Sequence, residues 1–592
     1  VTLRAYDASN RLVRVTEAAG TPDERTTAYA YDSRHRMTAA TNALGLVTRL
    51  SYDACDRPVL TVAPDGTAVT NAYDARGLVT LTRTLDASGR VLSETASAYN
   101  SKGLATQVTS TGAGTTRYGY DAAGNLTGVT NALGRATRIW HDRRGLPTNT
   151  VDALGGRTRR TYTPAGRPAS ETDPLGRTTL SFWTPGGQLA ATRFADGGTA
   201  TNEYDAADRL TASTDPRGSR VALGLDLMGR ATNRCGAAWS EQAWYDPAGL
   251  ATARVDAVGG RTATAYDRLG RPVAVTGPLG HTRTSAYDAL DRVTAATDPR
   301  GRQTAYAYDA AGRPTATVHP SGRVEGNGYD GLGRLTSFTN AEGRVYRMAY
   351  DAQGRLLAAT NAAGGQVVRN LYDLVGNLTN RTDGAGRDTR YTYDALNRLV
   401  VRDVFNHETH EKHETFTYDA VGNLLSASNA VAREAFTYDV MDRVETANTI
   451  VNGAVFSTAW KRDLGGLVTN ILYATGKAVT RTYDTDGRLA TVSDWQGHTW
   501  TFTHDAASRL TSVLSPGGIL STNAYDLAGR LSGWSAGGVA GRVITRDEAG
   551  VKTREQVTAG LFPNPQNPRR AINTFDAADR LVSSTIVQGT NT

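Results

Sequence analysis

A Tyr-Asp pair that recurs along the whole chain is the sequence feature that most constrains its fold. The pair occurs 18 times, and nine degenerate copies such as His141-Asp142 occupy the same phase, which makes 27 copies. Of the 26 intervals between them, 18 are 21 residues long. A fixed period sustained over this length is typical of a repeat architecture. We therefore interpret residues 1–592 as a single repeat array whose last interval, 546–575, is irregular.

Each period contains two turn signals, which we call turn A and turn B. Turn A follows the tyrosine as Asp-x-x-Gly, as in 121–124, and turn B lies about ten residues later as Asn-x-x-Gly or Asp-x-x-Gly, as in 298–301. Asp or Asn accepts hydrogen bonds from the backbone ahead of it, and glycine supplies the left-handed residue that closes a type I hairpin turn. The repeat-defining tyrosines of the clearest periods are Tyr6, Tyr31, Tyr52, Tyr73, Tyr120, Tyr204, Tyr266, Tyr287, Tyr308, Tyr329, Tyr350 and Tyr393.

The segments between the turns have the composition of short β-strands. They are rich in Thr, Val, Tyr and Arg, and residues 302–308 alternate between two faces. The sequence therefore predicts an all-β fold, a continuous antiparallel β-hairpin meander of about 27 repeats with two strands each. Because open sheets rarely exceed about ten strands without curling, we expect the ribbon to coil into a hollow spiral shell, or cocoon.

The charge pattern does not indicate a nucleic-acid partner. The formal charge is +7, but only five of the 65 basic residues are lysine, and the arginines recur at fixed phases beside aspartates. We interpret this as a structural ladder of mixed sign rather than a basic face. No apolar run approaches the roughly 18 residues of a membrane span, and no signal peptide is recognisable. Cys55 and Cys235 are predicted to be free thiols, and we expect the chain to be a fragment of a longer protein.

One cluster of metal-binding residue types stands out in the interval before Tyr418. It contains His407, His410 and His413, but no two of these have the i, i+4 spacing with which a helix presents histidines to zinc. We expect a solvated hairpin tip, with an adventitious metal site as the alternative. No catalytic residue and no cofactor is predicted, and we do not expect an enzyme.

The row of repeat tyrosines has two interpretations. Tyrosines at one phase can pack along the sheet, where each cross-strand pair contributes about 0.2–1 kcal/mol. Exposed aromatic rows can also bind sugar rings. We favour packing.

The repeat resembles the RHS or YD repeat. The resemblance rests on Tyr-Asp-Ala-x-Gly-Arg-Leu-Thr followed by Thr-Asn/Asp-x-x-Gly-Arg, as in 120–135 and 329–344, and it covers nearly the whole chain. Similar proteins include bacterial Rhs polymorphic toxins, the B and C components of insecticidal toxin complexes, wall-associated proteins and animal teneurins. The resemblance implies a β-cocoon that is secreted or displayed at the cell surface. In the toxins the cocoon encloses a C-terminal toxic domain, and in teneurin-like proteins the repeats contribute to adhesion.

The chain departs from the toxins at the segment that closes their shell. That segment carries an Asp-Pro-x-Gly cleavage site after an Arg-rich Tyr-Asp-Pro motif, and the variable toxin follows it. Here 173–176 and 246–249 resemble part of this signature, but both lie at ordinary turn positions, and we predict turns. The Pro- and Asn-rich insertion at 560–568 is not the closing motif. Neither cleavage residues nor a toxin can be carried over.

Two functions follow from the resemblance. The favoured one is a structural, encapsulating shell of a secreted toxin, whose partner is a C-terminal toxic or other cargo domain not present in this chain. The alternative is a cell-surface adhesion protein whose repeats bind a glycan or another protein.

Overall fold

The computed structural model describes residues 1–406, 409–538, 540–559, 569–575 and 581–588. Within them the chain has 54 β-strands and no helix, so the prediction of an all-β fold with two strands for each of 27 periods is confirmed. No described segment forms a helix long and apolar enough to cross a membrane.

The strands of the first half are β1 (Leu3–Tyr6), β2 (Leu12–Glu17), β3 (Arg25–Tyr31), β4 (Met37–Thr41), β5 (Val47–Tyr52), β6 (Pro58–Val62), β7 (Ala68–Tyr73), β8 (Val79–Leu85), β9 (Val91–Tyr99), β10 (Ala105–Ser110), β11 (Gly114–Tyr120), β12 (Leu126–Thr130), β13 (Ala136–His141), β14 (Pro147–Val151), β15 (Arg157–Tyr162), β16 (Pro168–Thr172), β17 (Thr178–Trp183), β18 (Leu189–Arg193), β19 (Thr199–Tyr204), β20 (Leu210–Thr214), β21 (Arg220–Leu225), β22 (Ala231–Cys235), β23 (Ser240–Tyr245), β24 (Ala251–Val255), β25 (Arg261–Tyr266), β26 (Pro272–Thr276) and β27 (Thr282–Tyr287). Those of the second half are β28 (Val293–Thr297), β29 (Gln303–Tyr308), β30 (Pro314–Val318), β31 (Val324–Tyr329), β32 (Leu335–Thr339), β33 (Val345–Tyr350), β34 (Leu356–Thr360), β35 (Gln366–Tyr372), β36 (Leu378–Asp383), β37 (Asp388–Tyr393), β38 (Leu399–Asn406), β39 (Thr409–Tyr418), β40 (Leu424–Ser428), β41 (Ala432–Tyr438), β42 (Val444–Val451), β43 (Ala454–Arg462), β44 (Val468–Tyr473), β45 (Ala478–Tyr483), β46 (Leu489–Ser493), β47 (Thr499–His504), β48 (Leu510–Leu514), β49 (Leu520–Tyr525), β50 (Leu531–Ala536), β51 (Ala540–Arg546), β52 (Lys552–Ala559), β53 (Arg569–Phe575) and β54 (Leu581–Gln588).

Every strand pairs antiparallel with the next one along the chain, from β1–β2 to β53–β54. The register shifts by two residues in each period. Arg117 of β11 pairs with Thr130 of β12. The equivalent residue one period later, Arg138 of β13, pairs with Gly128, two residues away on the same strand β12. Two residues correspond to about 6.8 Å along a strand, and the two strands of one period span about 9.6 Å across the sheet. The strands are therefore tilted by roughly 35° from the axis of the coil.

The turns have the geometry that the sequence predicts. In the turn A of residues 309–313, the Gly312 amide donates to the Asp309 carbonyl at 3.0 Å, and the Asp309 amide donates to the Arg313 carbonyl at 3.0 Å. Gly312 has a φ of 83°, a conformation that glycine adopts without a steric penalty. This is a type I turn closed by a left-handed residue, which joins two strands tightly enough for the meander to continue.

The ribbon meets itself after about twelve periods. Turns A of a later coil contact turns B of the coil before it, through hydrogen bonds between residues 243 to 265 positions apart. Examples are Arg25 with Asp291 at 2.6 Å and Arg177 with Asp442 at 2.7 Å. We call this line of contacts the seam. It runs from turn B of residues 17–25 to the turn B that contains Arg300, which pairs with Asp547.

One coil of about 24 strands encloses an open interior. At ~4.8 Å between strands and a tilt of ~35°, the circumference is about 140 Å and the backbone diameter about 45 Å. Side chains fill the interior of a closed sheet only up to about eight strands, so this wall surrounds a lumen. The hollow spiral shell predicted from the sequence is therefore the fold of the chain.

The wall is one sheet thick and has almost no conventional core. The accessible surface is 32922 Å², whereas a compact protein of this mass exposes about 20,000 Å². The buried apolar residues among those described are Ala18, Ala212, Ala253 and Val368. Stability must therefore come from the backbone ladder and from contacts between neighbouring strands and turns.

The two faces of the wall differ in side-chain size. The tyrosine face carries the repeat tyrosine and the residues two and four positions before it. The small-residue face carries the residues one and three positions before the tyrosine, as in the cross-strand pairs Ala286–Ala295 and Ala307–Ala316. Along the strands that end at the repeat tyrosine, side chains of the small-residue face are more exposed than those of the tyrosine face. In β15, for example, exposed and half-buried residues alternate from one end of the strand to the other.

Candidate functional site

The Tyr-Asp motif builds a ladder that runs along the turn A edge of the ribbon. The Asp53 carboxylate accepts hydrogen bonds from the amides of Cys55 at 2.8 Å and Arg57 at 3.0 Å. Its second oxygen accepts the Arg57 guanidinium at 2.6 Å. Because an aspartate with this set of donors fixes the turn, the motif needs Asp directly after the tyrosine and Arg four residues later.

Where turn A ends in arginine, that arginine reaches the next period. Arg57 donates to the carbonyl of Asp74 at 3.1 Å, and its guanidinium lies over the ring of Tyr73, 4.7 Å from the ring centroid. Arg36 and Tyr52 repeat the same arrangement at 4.9 Å. A cation over an aromatic face contributes about 0.5–1 kcal/mol at exposed sites. These contacts therefore link neighbouring periods and are not local to one turn.

The hydroxyls of the repeat tyrosines close the ladder against the preceding period. Tyr52, for example, donates to the carbonyl of Met37 at 2.7 Å. Tyr6, on the first strand, is 53% exposed. The other repeat-defining tyrosines make a hydrogen bond of this type, and they are Tyr31, Tyr52, Tyr73, Tyr120, Tyr204, Tyr266, Tyr287, Tyr308, Tyr329, Tyr350 and Tyr393.

Degenerate periods keep part of the ladder with other side chains. Trp183 replaces the tyrosine and donates its indole N–H to the carbonyl of Pro168 at 2.7 Å. Asn377 replaces the arginine and donates to Asp373 at 2.8 Å. His141 occupies the tyrosine position with a buried Nδ1 that has no hydrogen-bond partner among the described residues. The ladder thus tolerates substitution in single periods.

The ladder holds its carboxylates in the charged form. Burial raises the pKa of Asp309, but hydrogen bonds from the Arg313 amide and guanidinium outweigh it, and the pKa lies below its ordinary value. A turn B carboxylate shows the same effect: hydrogen bonds from the Ser88 hydroxyl and from Arg90 lower the pKa of Asp86 to about 2. These shifts follow from structural hydrogen bonds in turns and do not point to acid–base catalysis.

Three left-handed residues other than glycine lie at the seam. Asp291, Asn397 and Asp442 close their turns A with φ values of 63°, 64° and 62°. This conformation costs a residue with a Cβ roughly 1–2 kcal/mol. Each of the three side chains binds an arginine of the previous coil, as Asn397 does with Arg135 at 2.6 Å. The cross-coil contact offsets the strain, and glycine could not make it.

The histidine cluster lies only partly within the described residues. His407 lies outside them, and nothing is described of the His410 side chain. The Nδ1 atom of His413 lies 2.7 Å from the Asp403 carboxylate. No group of three or more metal-binding side chains occurs in the part of the chain that the structure describes. The solvated hairpin tip stays a prediction, and so does its alternative, an adventitious metal site at the three histidines.

The remaining predicted features lie at ordinary positions of the wall. Cys55 is exposed in a turn A and Cys235 is half-buried at the end of β22, and both are free thiols. Asp173 and Asp246 each begin a tight turn, with hydrogen bonds from Gly176 and Gly249 at 3.0 Å. The insertion at 560–568 lies outside the described residues.

The bonds that join one period to the next were not predicted. The repeat pattern placed Arg beside Asp, but it indicated neither the arginine over the following tyrosine nor the tyrosine hydroxyl on the preceding carbonyl. The recurrent spacing of 16 residues, as from Arg57 to Tyr73, was the available signal. The seam has no comparable signal, because its partners are separated by a coil.

Comparisons with known proteins agree with this geometry. The family described as Teneurin YD-shell matches residues 2–163. The family described as RHS Repeat matches residues 183–232, 245–282, 287–324, 329–366, 372–405 and 483–520. A search of curated proteins gives no match.

Solved structures of toxin complexes share the fold. The structure of TcdB2-TccC3-Cdc42 superposes with a TM-score of 0.68 at 14% identity, covering 100% of this chain and 40% of that one. The Tc holotoxin pore of Photorhabdus luminescens, with a D651A change in TccC3, gives 0.66 at 14% identity, covering 99% and 40%. The chain therefore spans about two fifths of the length of these proteins. Its motif, its 54-stranded wall and these matches together identify the chain as a member of the RHS/YD-repeat family.

Proposed function

We propose that the chain is the wall of a shell that encloses a protein cargo, in a protein that is secreted or displayed at the cell surface. The observation that carries the proposal is the seam, because it joins successive coils into one wall around a lumen. A bore of about 35 Å remains inside a backbone diameter of ~45 Å after side chains on both sides are subtracted. That is wide enough for a folded domain of about 100 residues, whose radius of gyration is ~13 Å. The role is structural and not catalytic.

The small-residue face is assigned to the lumen. The wall has a radius of ~22 Å, and side chains on its concave side end about 4 Å closer to the axis. Neighbouring side chains there are separated by roughly four fifths of the distance between the backbones that carry them, so small residues fit the concave side. Pairs such as Ala286–Ala295 satisfy this, whereas the tyrosine face carries bulky side chains such as Tyr306.

The adhesion alternative finds less support in the repeat tyrosines. A sugar ring would have to stack on an aromatic face, but guanidinium groups lie 4.6 to 5.4 Å from the centroids of most of these rings, as over Tyr308 and Tyr350. Their hydroxyls are also bonded to the backbone. The tyrosine row therefore serves the wall itself, in keeping with the packing interpretation.

Protease protection of a fused reporter tests encapsulation. A small reporter domain is fused to either end of the full chain, and its digestion by a bulky protease is compared with digestion of the free reporter. We expect at least one fusion to be cut about tenfold more slowly, and Arg177→Glu, which reverses a charge at the seam, to reduce that protection. Digestion of both fusions at the rate of the free reporter would contradict the proposal.

A further inference from the structure

Two rows of arginines lie on the small-residue face, outside the ladder. Each row occupies the position three residues before the repeat tyrosine in three successive periods. The first row lies on β11, β13 and β15, and the second on β33, β35 and β37. Their members are Arg117, Arg138 and Arg159 in the first row and Arg347, Arg369 and Arg390 in the second.

The seam places the second row above the first. A Cβ added at Gly114, where β11 begins, would lie 3.5 Å from Leu374, in the turn after β35 in the next coil. Arg135, beside the start of β13, donates to Asn397, in the turn after β37. The strand that carries Arg369 therefore lies above the strand that carries Arg117. In the same way, the strand of Arg390 lies above that of Arg138. The two rows form one patch that spans both coils.

Five of these arginines differ from those of the ladder because no carboxylate lies opposite them, whereas Arg390 lies opposite Asp403 on β38. All six side chains are exposed. Among the described residues, none of them forms a salt bridge, and Arg390 stacks on Phe405 at 4.4 Å. On the opposite face, by contrast, Arg160 pairs with Glu171 at 2.8 Å. The mixed-sign ladder expected for all arginines thus accounts for turn A but not for this patch.

The surface between the arginines is flat and has little negative charge. Gly119 and Gly128 lie opposite each other in the first row, and Trp140 stands 46% exposed beside Arg138. Near the second row, Asp388 accepts a hydrogen bond from the Thr382 hydroxyl at 2.6 Å, and Asp403 contacts His413. A polymer lying on this surface could reach the guanidinium groups, with Trp140 and the 47% exposed Leu371 as the bulky side chains beside them.

We propose that this patch is a docking surface for an acidic polypeptide. Guanidinium forks match carboxylates in geometry and in charge, and Arg is favoured where such pairs lose water. Neighbouring Cα atoms in a row are about 12 Å apart, a spacing that side-chain carboxylates of a polypeptide can meet. Double-stranded DNA carries one charge per ~1.7 Å of its axis, so the rows are too sparse to follow its backbone. Only Trp140 offers a base a stacking platform beside the first row.

Binding of labelled polyglutamate to the full chain, followed by fluorescence anisotropy at low ionic strength, tests the proposal. The variant R117T/R138T/R159T introduces the residue that other periods carry at this position, such as Thr201 and Thr284. We expect it to bind polyglutamate about tenfold more weakly, since three exposed ion pairs contribute ~0.5 kcal/mol each. The control R254T/R283T/R381T removes three exposed arginines from the tyrosine face, and we expect less than a twofold change.

The same titrations with oligothymidylate and heparin separate the classes of partner. Equal loss of polyglutamate affinity in both triple variants would overturn the proposal, as would absence of binding by the parent chain. A larger loss for oligothymidylate or heparin than for polyglutamate in the first variant would also overturn it. Circular dichroism checks that all chains are folded. Because the assay needs no cargo, its outcome is independent of the protease test of encapsulation.

Discussion

Removal of one ladder arginine tests whether the bonds between periods stabilise the wall. Arg292 forms an ion pair with Asp288 at 2.6 Å, with side chains only 17% and 13% exposed. It also donates to the Asp309 carbonyl at 3.2 Å and lies 4.6 Å from the ring centroid of Tyr308. The ion pair contributes up to ~1 kcal/mol, the stacking ~0.5–1 kcal/mol and the charged hydrogen bond at least ~1 kcal/mol. We expect Arg292→Ala to cost about 2 kcal/mol, since these contributions overlap.

Hydrogen exchange measured by mass spectrometry is the suitable assay, because repeat arrays open locally and global unfolding would average the effect. A loss of about 2 kcal/mol speeds exchange roughly 30-fold in peptides covering 288–309. The control is Arg302→Ala, since Arg302 forms the equivalent pair with Asp298 at 2.7 Å but is 39% exposed. Within the described residues Arg302 contacts no ring and no carbonyl of another period, so we expect less than a threefold change. Equal effects of the two variants would refute the reasoning.

Three further predictions concern the seam and the two faces. Burial raises the pKa of Asp442, but hydrogen bonds from Arg177 and Asn423 outweigh it, and the pKa lies below its ordinary value. The ionised Asp442 carboxylate therefore contributes its full stabilisation above about pH 4, and this stabilisation is lost as the pH falls through the lowered pKa. Asp442→Asn should make acid unfolding, followed by circular dichroism from pH 5 to 2, less steep, and an unchanged slope would contradict this. Gly331→Val should lower the thermal midpoint, because even a Cβ there would lie 2.8 Å from a leucine of the previous coil, whereas Ala8→Val at the same turn position of the first coil should not. If the small-residue face lines the lumen, Cys235 on that face is reached only from inside, whereas Cys55 lies in an exposed turn A. A bulky maleimide should then label Cys55 about tenfold faster than Cys235, while a small maleimide should label both at more similar rates. Equal selectivity of the two reagents would contradict that orientation.

Local features of the fold were predictable from the sequence because they depend on a few adjacent residues. Asp309, Gly312 and Arg313 specify a turn within five positions, and the composition between turns specifies strands. The number of strands follows from counting periods. The ladder was predictable only in part: Asp beside Arg was recognised, but the stacking of Arg292 on Tyr308 needs the register of the hairpin between them.

Coiling was expected from the length of the sheet, but its pitch was not. The pairing of Arg25 with Asp291 depends on strand tilt and on the shape of the whole ribbon, and no short pattern encodes either. The arginine rows were missed for a related reason, because a total of 65 basic residues conceals which face each residue occupies. The histidine cluster could not be assessed, since His407 lies outside the described residues.

The seam also limits how this array can change in length. In most repeat proteins each unit touches only its neighbours, so a unit can be duplicated or lost with little effect elsewhere. Here turn A of one period must meet turn B of a period about a coil earlier, as Asp442 meets Arg177. Deleting a single 21-residue period between these two would bring the wrong turns together along every later part of the seam. Evolution of this wall is therefore expected to proceed by substitution within periods and by growth at the ends, rather than by insertion in the middle.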